Sequence, residues 1–314
     1  MLNKIYDVII IGCGPAGASA AIYAVRKKLK TLVISKDIGG QLLITGHLEN
    51  YLGFIGGNGI DLVEIIKKQL EALNIEIKYE EVKKVEKEND IFKVITEKET
   101  FLGKAIIATG GSVPKKLGIP EEENFIGRGI SYCAICDAPF ARNKVAAVVG
   151  GGNSAFHALI TVAKYANKVY LIHRRDEFRA DAILIDQAKK LNNVEFLTNT
   201  IIEKIIGKEK VEGIVIKNLL NGTSYELKVN VIFVEIGREV HVDYIKHLVN
   251  IDENNKIIVD KYQRTSCKGI FAAGDITDRP YKQAIISAGD GAVAALSAYD
   301  YLIYSMKNGT SPKK

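Results

Sequence analysis

Two short apolar runs, each leading straight into a glycine-rich turn and then a helix, predict an α/β fold of two domains, each built on a parallel sheet. The first run is residues 6–11, followed by Gly12-Cys13-Gly14-Pro15-Ala16-Gly17; the second is residues 145–149, followed by Gly150-Gly151-Gly152-Asn153-Ser154-Ala155. A strand that is apolar at every position is covered on both faces, as strands of parallel sheets are. The third observation is length: 314 residues exceed the roughly 100–200 of a single domain.

The elements follow in order. After the first turn, residues 18–28 read as a helix and 31–34 as the next buried strand, completing one βαβ unit. Residues 60–74 carry apolar side chains at 60, 62, 63, 65, 66, 70 and 73, one face of a helix with a charged reverse side. Residues 76–86 and 91–102 read as short antiparallel strands. Residues 105–109 form another buried strand, ending at Gly110-Gly111. Two prolines without periodicity make 112–120 a linker. The second βαβ unit runs through strand 145–149, helix 154–165 and returning strand 168–172. Asn221-Gly222 between strand-like runs 211–219 and 224–235 signals a hairpin. A strand at 269–273 closes on Gly274-Asp275, an apolar helix spans about 284–303, and residues 308–314 are expected to fray.

Composition narrows the class. With 47% hydrophobic and 25% charged residues, 28 Gly and 6 Pro, the chain is neither collagen-like, disordered nor a disulfide framework. No apolar run of about 18 residues is present, so no membrane span is expected. The first residues lack the pattern of a secretory signal, so a cytoplasmic protein is expected, and the sequons at Asn221 and Asn308 are noise. The net charge of +6 is interspersed with acidic residues and reads as solvated faces, not a nucleic-acid surface.

The motifs carry the chemistry. In Gly12-x-Gly14-x-x-Gly17, the first glycine turns the chain and the second lets backbone approach a pyrophosphate. The third permits close helix–strand packing, and the helix N-terminus faces the phosphates. Ser35 stands where an acidic residue would hold the adenosine ribose, which weakens NAD for this first site. The second turn fits the G-x-G-x-x-A variant, and its returning strand ends in His173-Arg174-Arg175-Asp176-Glu177-Phe178-Arg179. Arg174, Arg175 and Arg179 suit a ribose 2′-phosphate, so NADPH is preferred there. Cys133-Ala134-Ile135-Cys136 has three readings: a zinc half-site, two inert thiols, or a redox pair. Zinc would need two more ligands at suitable spacing. The redox reading is favoured, because a CxxC alternates between dithiol and disulfide with little backbone movement. Asp137 beside it is a candidate proton donor. Cys13 and Cys267 read as packed small residues, His157 as an ordinary helix residue, and His47, His241 and His247 form no ligand spacing. No metal site is expected.

Taken in order, GCGPAG, GGQL, ATGG, CAICD, GGGNSA, HRRDEFRA and FAAGDITDRPYKQA resemble the low-molecular-weight thioredoxin reductases, class II of the pyridine nucleotide-disulfide oxidoreductases. The resemblance spans residues 6 to about 303. It implies two Rossmann-like domains, each a parallel sheet with helices and an antiparallel β-meander. A discontinuous FAD-binding domain (1–113 and 244–314) would hold an inserted NADPH-binding domain (114–243) carrying the redox disulfide. FAD would lie on Gly12, Gly14, Pro15, Ala16, Gly17 and Ser35, bordered by Gly39, Gly40, Gln41, Asn50, Thr109, Gly110, Gly274, Asp275, Lys282, Gln283 and Ala284. NADPH would lie on Gly152, Asn153, Ser154, His173, Arg174, Arg175 and Arg179. The resemblance further implies a Cys133–Cys136 disulfide with Cys136 nearer the flavin, Asp137 as the acid, a thioredoxin-like partner and a homodimer. Since CxxC and NADPH share one domain, a swing about linkers near 112–118 and 238–244 would bring each to the flavin in turn. His157 stands where relatives carry an acidic residue, and Val240-His241 where they often carry Pro-Asn. Three other readings stay open: a ferredoxin- or other-donor reductase, a flavoprotein of a peroxiredoxin system, and a flavin- or nucleotide-sensing protein.

Overall fold

The computed structural model describes residues 4–45 and 48–308, apart from the side chains of 304–308. Residues 309–314 of the expected tail, with the last two residues of the sequon at 308–310, and His47 lie outside the described residues. The chain forms two compact units, one of residues 1–113 and 240–314, the other of 114–239. The second crossing comes four residues before the expected 243/244, because Val242 is buried in the first unit beside Tyr244 and Ile245.

Along the first unit run β1 (Ile5–Ile11), α1 (Pro15–Arg26), β2 (Thr31–Ser35), α2 (Gly59–Ala72), β3 (Glu76–Tyr79), β4 (Lys84–Glu88), β5 (Ile91–Ile95) and β6 (Thr100–Ala108). The sheet order is β3-β2-β1-β6-β5-β4. The stretch read as an antiparallel strand at 76–86 is two strands: β3 pairs parallel with β2, and only β4, β5 and the start of β6 form the antiparallel meander. Propensity marks both as strands, but direction is set by the partner each finds. The first half of β6 carries β5, and its second half carries β17 (Ile270–Ala272) in parallel. Alternate residues of β1 face opposite cores. Val8 and Ile10 pack under the helices, while Ile9 and Ile11 pack with Leu32, Ile34 and Tyr244. That two-sided burial is why Val8–Ile11 are apolar without a break, while Asp7, near the strand's start, is half-buried and pairs with Lys104 at 2.7 Å. Small residues let α1 lie against α7 (Ala284–Asn308): Ala20, Ala21 and Ala24 meet Ala294, Ala295 and Ala298, and a Cβ on Gly291 would lie 2.0 Å from the Ala16 carbonyl.

Between the units the chain passes through β7 (Val113–Pro114) and later β16 (Arg238–Glu239). The second unit holds α3 (Glu122–Phe125), β8 (Ile130–Ser131), α4 (Ala134–Asp137), β9 (Val145–Val149), α5 (Asn153–Val162), β10 (Lys168–Ile172), α6 (Ala182–Lys189), β11 (Val194–Leu197), β12 (Thr200–Gly207), β13 (Val211–Asn218), β14 (Ser224–Leu227) and β15 (Val231–Val234). A parallel sheet runs β11-β10-β9-β15-β8, with β12-β13-β14 as a separate antiparallel meander. The run read as one strand at 224–235 therefore divides. β14 closes the hairpin expected at Asn221-Gly222, and β15 leaves for the centre of the parallel sheet, where all four of its residues are buried. Among the described residues no helix is long and apolar enough to cross a membrane.

Candidate functional site

In the first unit the turn after β1 is shaped by what surrounds each glycine. Gly12 has φ +105°, and a Cβ there would lie 2.5 Å from the Thr109 carbonyl. A Cβ on Gly17 would lie 1.9 Å from the Gly12 carbonyl. Both positions exclude any side chain by packing alone. Gly14 differs: its Cβ would meet only the Gly39 carbonyl, at an ordinary 3.8 Å. Nothing in the chain needs that space, so it is open to a ligand. Gly14 also caps α1, Pro15 opens the helix, and no side chain caps its first-turn amides. Uncapped amides at a helix start bind phosphate.

The surrounding residues brace this turn. Thr109 Oγ1 donates to the carbonyls of Ile11 and Gly12, each at 2.9 Å. Ser35 Oγ accepts the Cys13 amide at 3.0 Å and donates to the Asp37 carbonyl at 2.7 Å. Asp37 Oδ1 accepts the Gly40 amide at 2.8 Å. Asp37, which sequence reading passed over, holds Gly39 and Gly40 beside the turn; its signal was an Asx motif three residues before the second glycine. Gly274 (φ +78°) sits against the start of α1, 3.0 Å from the Ala16 Cβ by its own missing Cβ. The carboxylate of Asp275 accepts from Ser112 Oγ at 3.1 Å and Ser287 Oγ at 3.3 Å. The structure thus brings Gly12–Gly17, Ser35, Thr109, Gly274 and Asp275 together from four parts of the chain. Asn50 Nδ2 donates to Gln283 Oε1 at 3.1 Å, linking two further expected residues. Lys282 Nζ donates to the Thr277 carbonyl at 2.8 Å, and burial brings its ammonium down to about 8. Gln41 Nε2 is buried without a partner among the described residues. An orphaned amide, an open glycine and uncapped helix amides fit a bound dinucleotide. Cys13 is buried, and desolvation pushes its thiol up to about 12, so it is inert.

The second unit repeats the turn with different surroundings. Gly150 has φ +150°, and its Cβ would lie 2.3 Å from the Glu235 carbonyl. Ala155 replaces the third glycine. Gly152 has nothing within 4 Å of its would-be Cβ, and it caps α5 without a side-chain bond. Arg174, Arg175 and Arg179 are exposed, on a loop pinned at several points. The Arg179 amide donates to the Gly151 carbonyl at 2.8 Å, and the Arg175 carbonyl accepts the Asn199 amide at 3.1 Å. Asn153 and Asp181 exchange hydrogen bonds of 3.0 and 2.8 Å, tying the helix start to the far end of the loop. His173, expected among the NADPH-binding residues, lies apart from the three exposed arginines. Its ring is buried directly under Gly151, whose Cβ would lie 2.3 Å away, and Nε2 meets the Glu177 carbonyl at 3.1 Å. Burial lowers its basicity. His173 supports the turn from below, stacked against Phe178 in an aromatic group with Phe156 and Phe196. His157 is exposed.

Cys133 and Cys136 are joined as a disulfide, with Cα atoms 5.4 Å apart. Cys133 precedes α4, and its Sγ accepts the Cys136 amide at 3.3 Å. Ser131 Oγ accepts the Cys133 amide at 3.0 Å and donates to Asp137 Oδ2 at 2.6 Å, so one hydroxyl joins the first cysteine to the candidate acid. Two carboxylates here went unread in the sequence. Glu122 is 1% exposed and accepts from the amides of Leu117 (2.8 Å) and Gly118 (3.0 Å) and from Tyr132 Oη (2.6 Å). It fixes the strand leading into Cys133. Glu235, just past β15, accepts the Ala134 amide within the CxxC turn, and desolvation brings its carboxyl up to about 7 despite Arg238 nearby. Among the described residues no group of three or more His, Cys, Asp or Glu could hold a metal ion.

Comparison with known proteins agrees with this geometry. The family model for pyridine nucleotide-disulphide oxidoreductases matches residues 6–291. A thioredoxin reductase of Treponema pallidum is 39% identical over 299 residues, 95% of this chain and 97% of that protein. One from Mycolicibacterium smegmatis is 39% identical over 303 residues, 96% and 97% of the two chains. Among solved structures, thioredoxin reductase from Streptococcus pyogenes superposes with a TM-score of 0.91 at 37% identity, over 96% of this chain and 99% of that one.

Proposed function

The chain belongs to the pyridine nucleotide-disulphide oxidoreductase family, and from that premise we propose that it is an FAD-dependent, NADPH-fed reductase of the disulfide of a thioredoxin-like protein. The observation that carries this reading is the Cys133–Cys136 disulfide, half-buried in the same unit as the second glycine turn and its arginines. When bound, FAD would supply two-electron chemistry between NADPH and that disulfide.

The chain's own residues do the rest. In the first unit, Gly12–Gly17 and the α1 amides would seat the pyrophosphate, while Asp275, Lys282, Gln283 and Gln41 would line the remainder of the flavin. In the second unit, Gly152 leaves room for the NADPH phosphates, and Arg174, Arg175 and Arg179 would grip the 2′-phosphate as paired donors. Once the disulfide opens, the Cys136 amide facing Cys133 Sγ favours a thiolate there. That thiolate attacks the partner's disulfide, a mixed disulfide forms, and Cys136 resolves it. Asp137, held by Ser131, would carry the proton to and from this exchange. In this reading the enzyme is a cytoplasmic homodimer. Its two units swing about the crossings at 113–114 and 238–239, and a cross-link between them would stop turnover.

The test is spectroscopic. The purified protein is yellow, NADPH bleaches it, and adding oxidised thioredoxin restores the colour with NADPH consumption. Cys133→Ser keeps the flavin and loses reductase activity by roughly 10³-fold or more. A protein that NADPH does not bleach but reduced ferredoxin does would change the donor. One that retains activity as Cys133→Ser would refute the reading.

A further inference from the structure

Glu235 is a carboxylate at the CxxC turn that the mechanism above does not use. On one side, β15 pairs with β8 so that Phe233 lies level with Ser131, and Glu235 and Cys133 each follow two residues past that pair, where the chain has left both strands. On the other side, Val234 lies level with Val149, which puts Glu235 level with Gly150, and its amide donates to the Val149 carbonyl at 2.8 Å. Its carboxylate accepts the Ala134 amide, inside the same four-residue turn whose Cys136 amide faces Cys133 Sγ. One short turn therefore offers amides to two anions.

We propose that Glu235 is a positioning and charge-balancing residue of the Cys133–Cys136 pair, taking up a proton each time the disulfide is reduced. The proposal rests on the redox reading of that disulfide. The step balances as follows. Two electrons, from the reduced flavin of that reading, break the S–S bond and leave two sulfur anions. One proton goes to Cys136 sulfur. Cys133 stays a thiolate against the Cys136 amide, and the second proton goes to the Glu235 carboxylate. Two like charges in one turn repel strongly where water is sparse, so the carboxylate and the thiolate titrate as a pair. Burial has already brought Glu235 to about 7, where a neighbouring anion tips it to the neutral form.

The charged neighbours allow this. The 133–137 turn carries Cys133, Cys136 and Asp137. The Gly150–Gly152 turn and the first residues of α5, through Phe156, carry no titratable side chain. Arg238, three residues on in β16, favours the carboxylate without outweighing desolvation.

The experiment uses the whole flavoprotein, reduced anaerobically with dithiothreitol. Alkylation of Cys133 by iodoacetamide is followed from pH 5 to 9 by mass spectrometry. The wild type should ionise in two steps. Glu235→Gln should show one step about one pH unit lower, roughly tenfold more thiolate at a given pH below it, and Glu235→Asp should restore two steps. Superimposable wild-type and Gln profiles would overturn the proposal. If the Gln variant does not fold, infrared difference spectra of the wild type decide. A carboxylic-acid C=O band should appear on reduction and persist in Asp137→Asn; its absence overturns the proposal. Failure of either cysteine to become alkylable would instead overturn the redox reading itself.

Discussion

The molecule builds the same strand–turn–helix twice, and the two copies differ where it matters for ligand choice. In both, the first glycine is jammed against a carbonyl at the end of the neighbouring strand, Thr109 for Gly12 and Glu235 for Gly150. In both, the middle glycine opens onto free space. The third position separates them. Gly17 touches the Gly12 carbonyl, whereas the second unit accommodates Ala155. The end of the second strand separates them further. The first unit places Ser35 there, spent on backbone bonds; the second buries His173 under its turn and displays three arginines beyond it. Packing fixes the turn, and the residue after the second strand is left to choose the nucleotide.

The largest expected effect tests the packing half of that comparison. Gly17→Val should cost more than the roughly 1–3 kcal/mol typical of overpacking, because its Cβ alone would lie 1.9 Å from a carbonyl. The protein should come out without flavin, while Ala155→Gly should cost no more than about 1 kcal/mol. Bound-flavin absorbance and thermal melting measure both, and a yellow Gly17→Val protein would break the comparison. Next comes the choice of nucleotide. Replacing Arg174, Arg175 and Arg179 together by Ala should raise KM for NADPH by roughly 10–100-fold, from about 1.5–3 kcal/mol of charged hydrogen bonding, and leave KM for NADH nearly unchanged. Ser35→Ala, by contrast, should shift flavin affinity by less than about tenfold, one neutral hydrogen bond being worth about 1 kcal/mol. Steady-state kinetics with both nucleotides and flavin titration distinguish them. The smallest effect concerns the open glycines. Gly14→Ala and Gly152→Ala should melt within about 1 kcal/mol of the wild type when stripped of ligands. Each should lose ligand-induced stabilisation for its own nucleotide only. A large drop in the stripped protein would show that these glycines serve packing.

Strands buried on both faces were legible because the residues buried there must be apolar without a break, as in Val8–Ile11 of β1 and in β9. Strand direction was not: β3 reads like its antiparallel neighbours, and only its place beside β2 makes it parallel. The cysteine pair and the arginine cluster were legible because their chemistry lies in spacing along the chain. Glu122 reads as one of three consecutive acids on a solvated loop, yet it is buried with three donors. His173 reads as an NADPH-binding residue beside the arginines, yet the missing Cβ of Gly151 lets its ring slide beneath the turn.

The sequence by itself determined the two nucleotide-type turns, the redox pair and the arginines, because each needs particular residue types at short fixed separations. Tertiary structure alone decided which distant groups surround them. Pairing of β15 with β8 carries Glu235 to the CxxC turn, where it accepts the Ala134 amide, about a hundred residues away along the chain. The close contact of α1 with α7, and of Ala16 with Gly274, brings Asp275 to the first turn. Burial then sets the protonation of what lands there, since removing water penalises charge whatever the residue's place in the sequence.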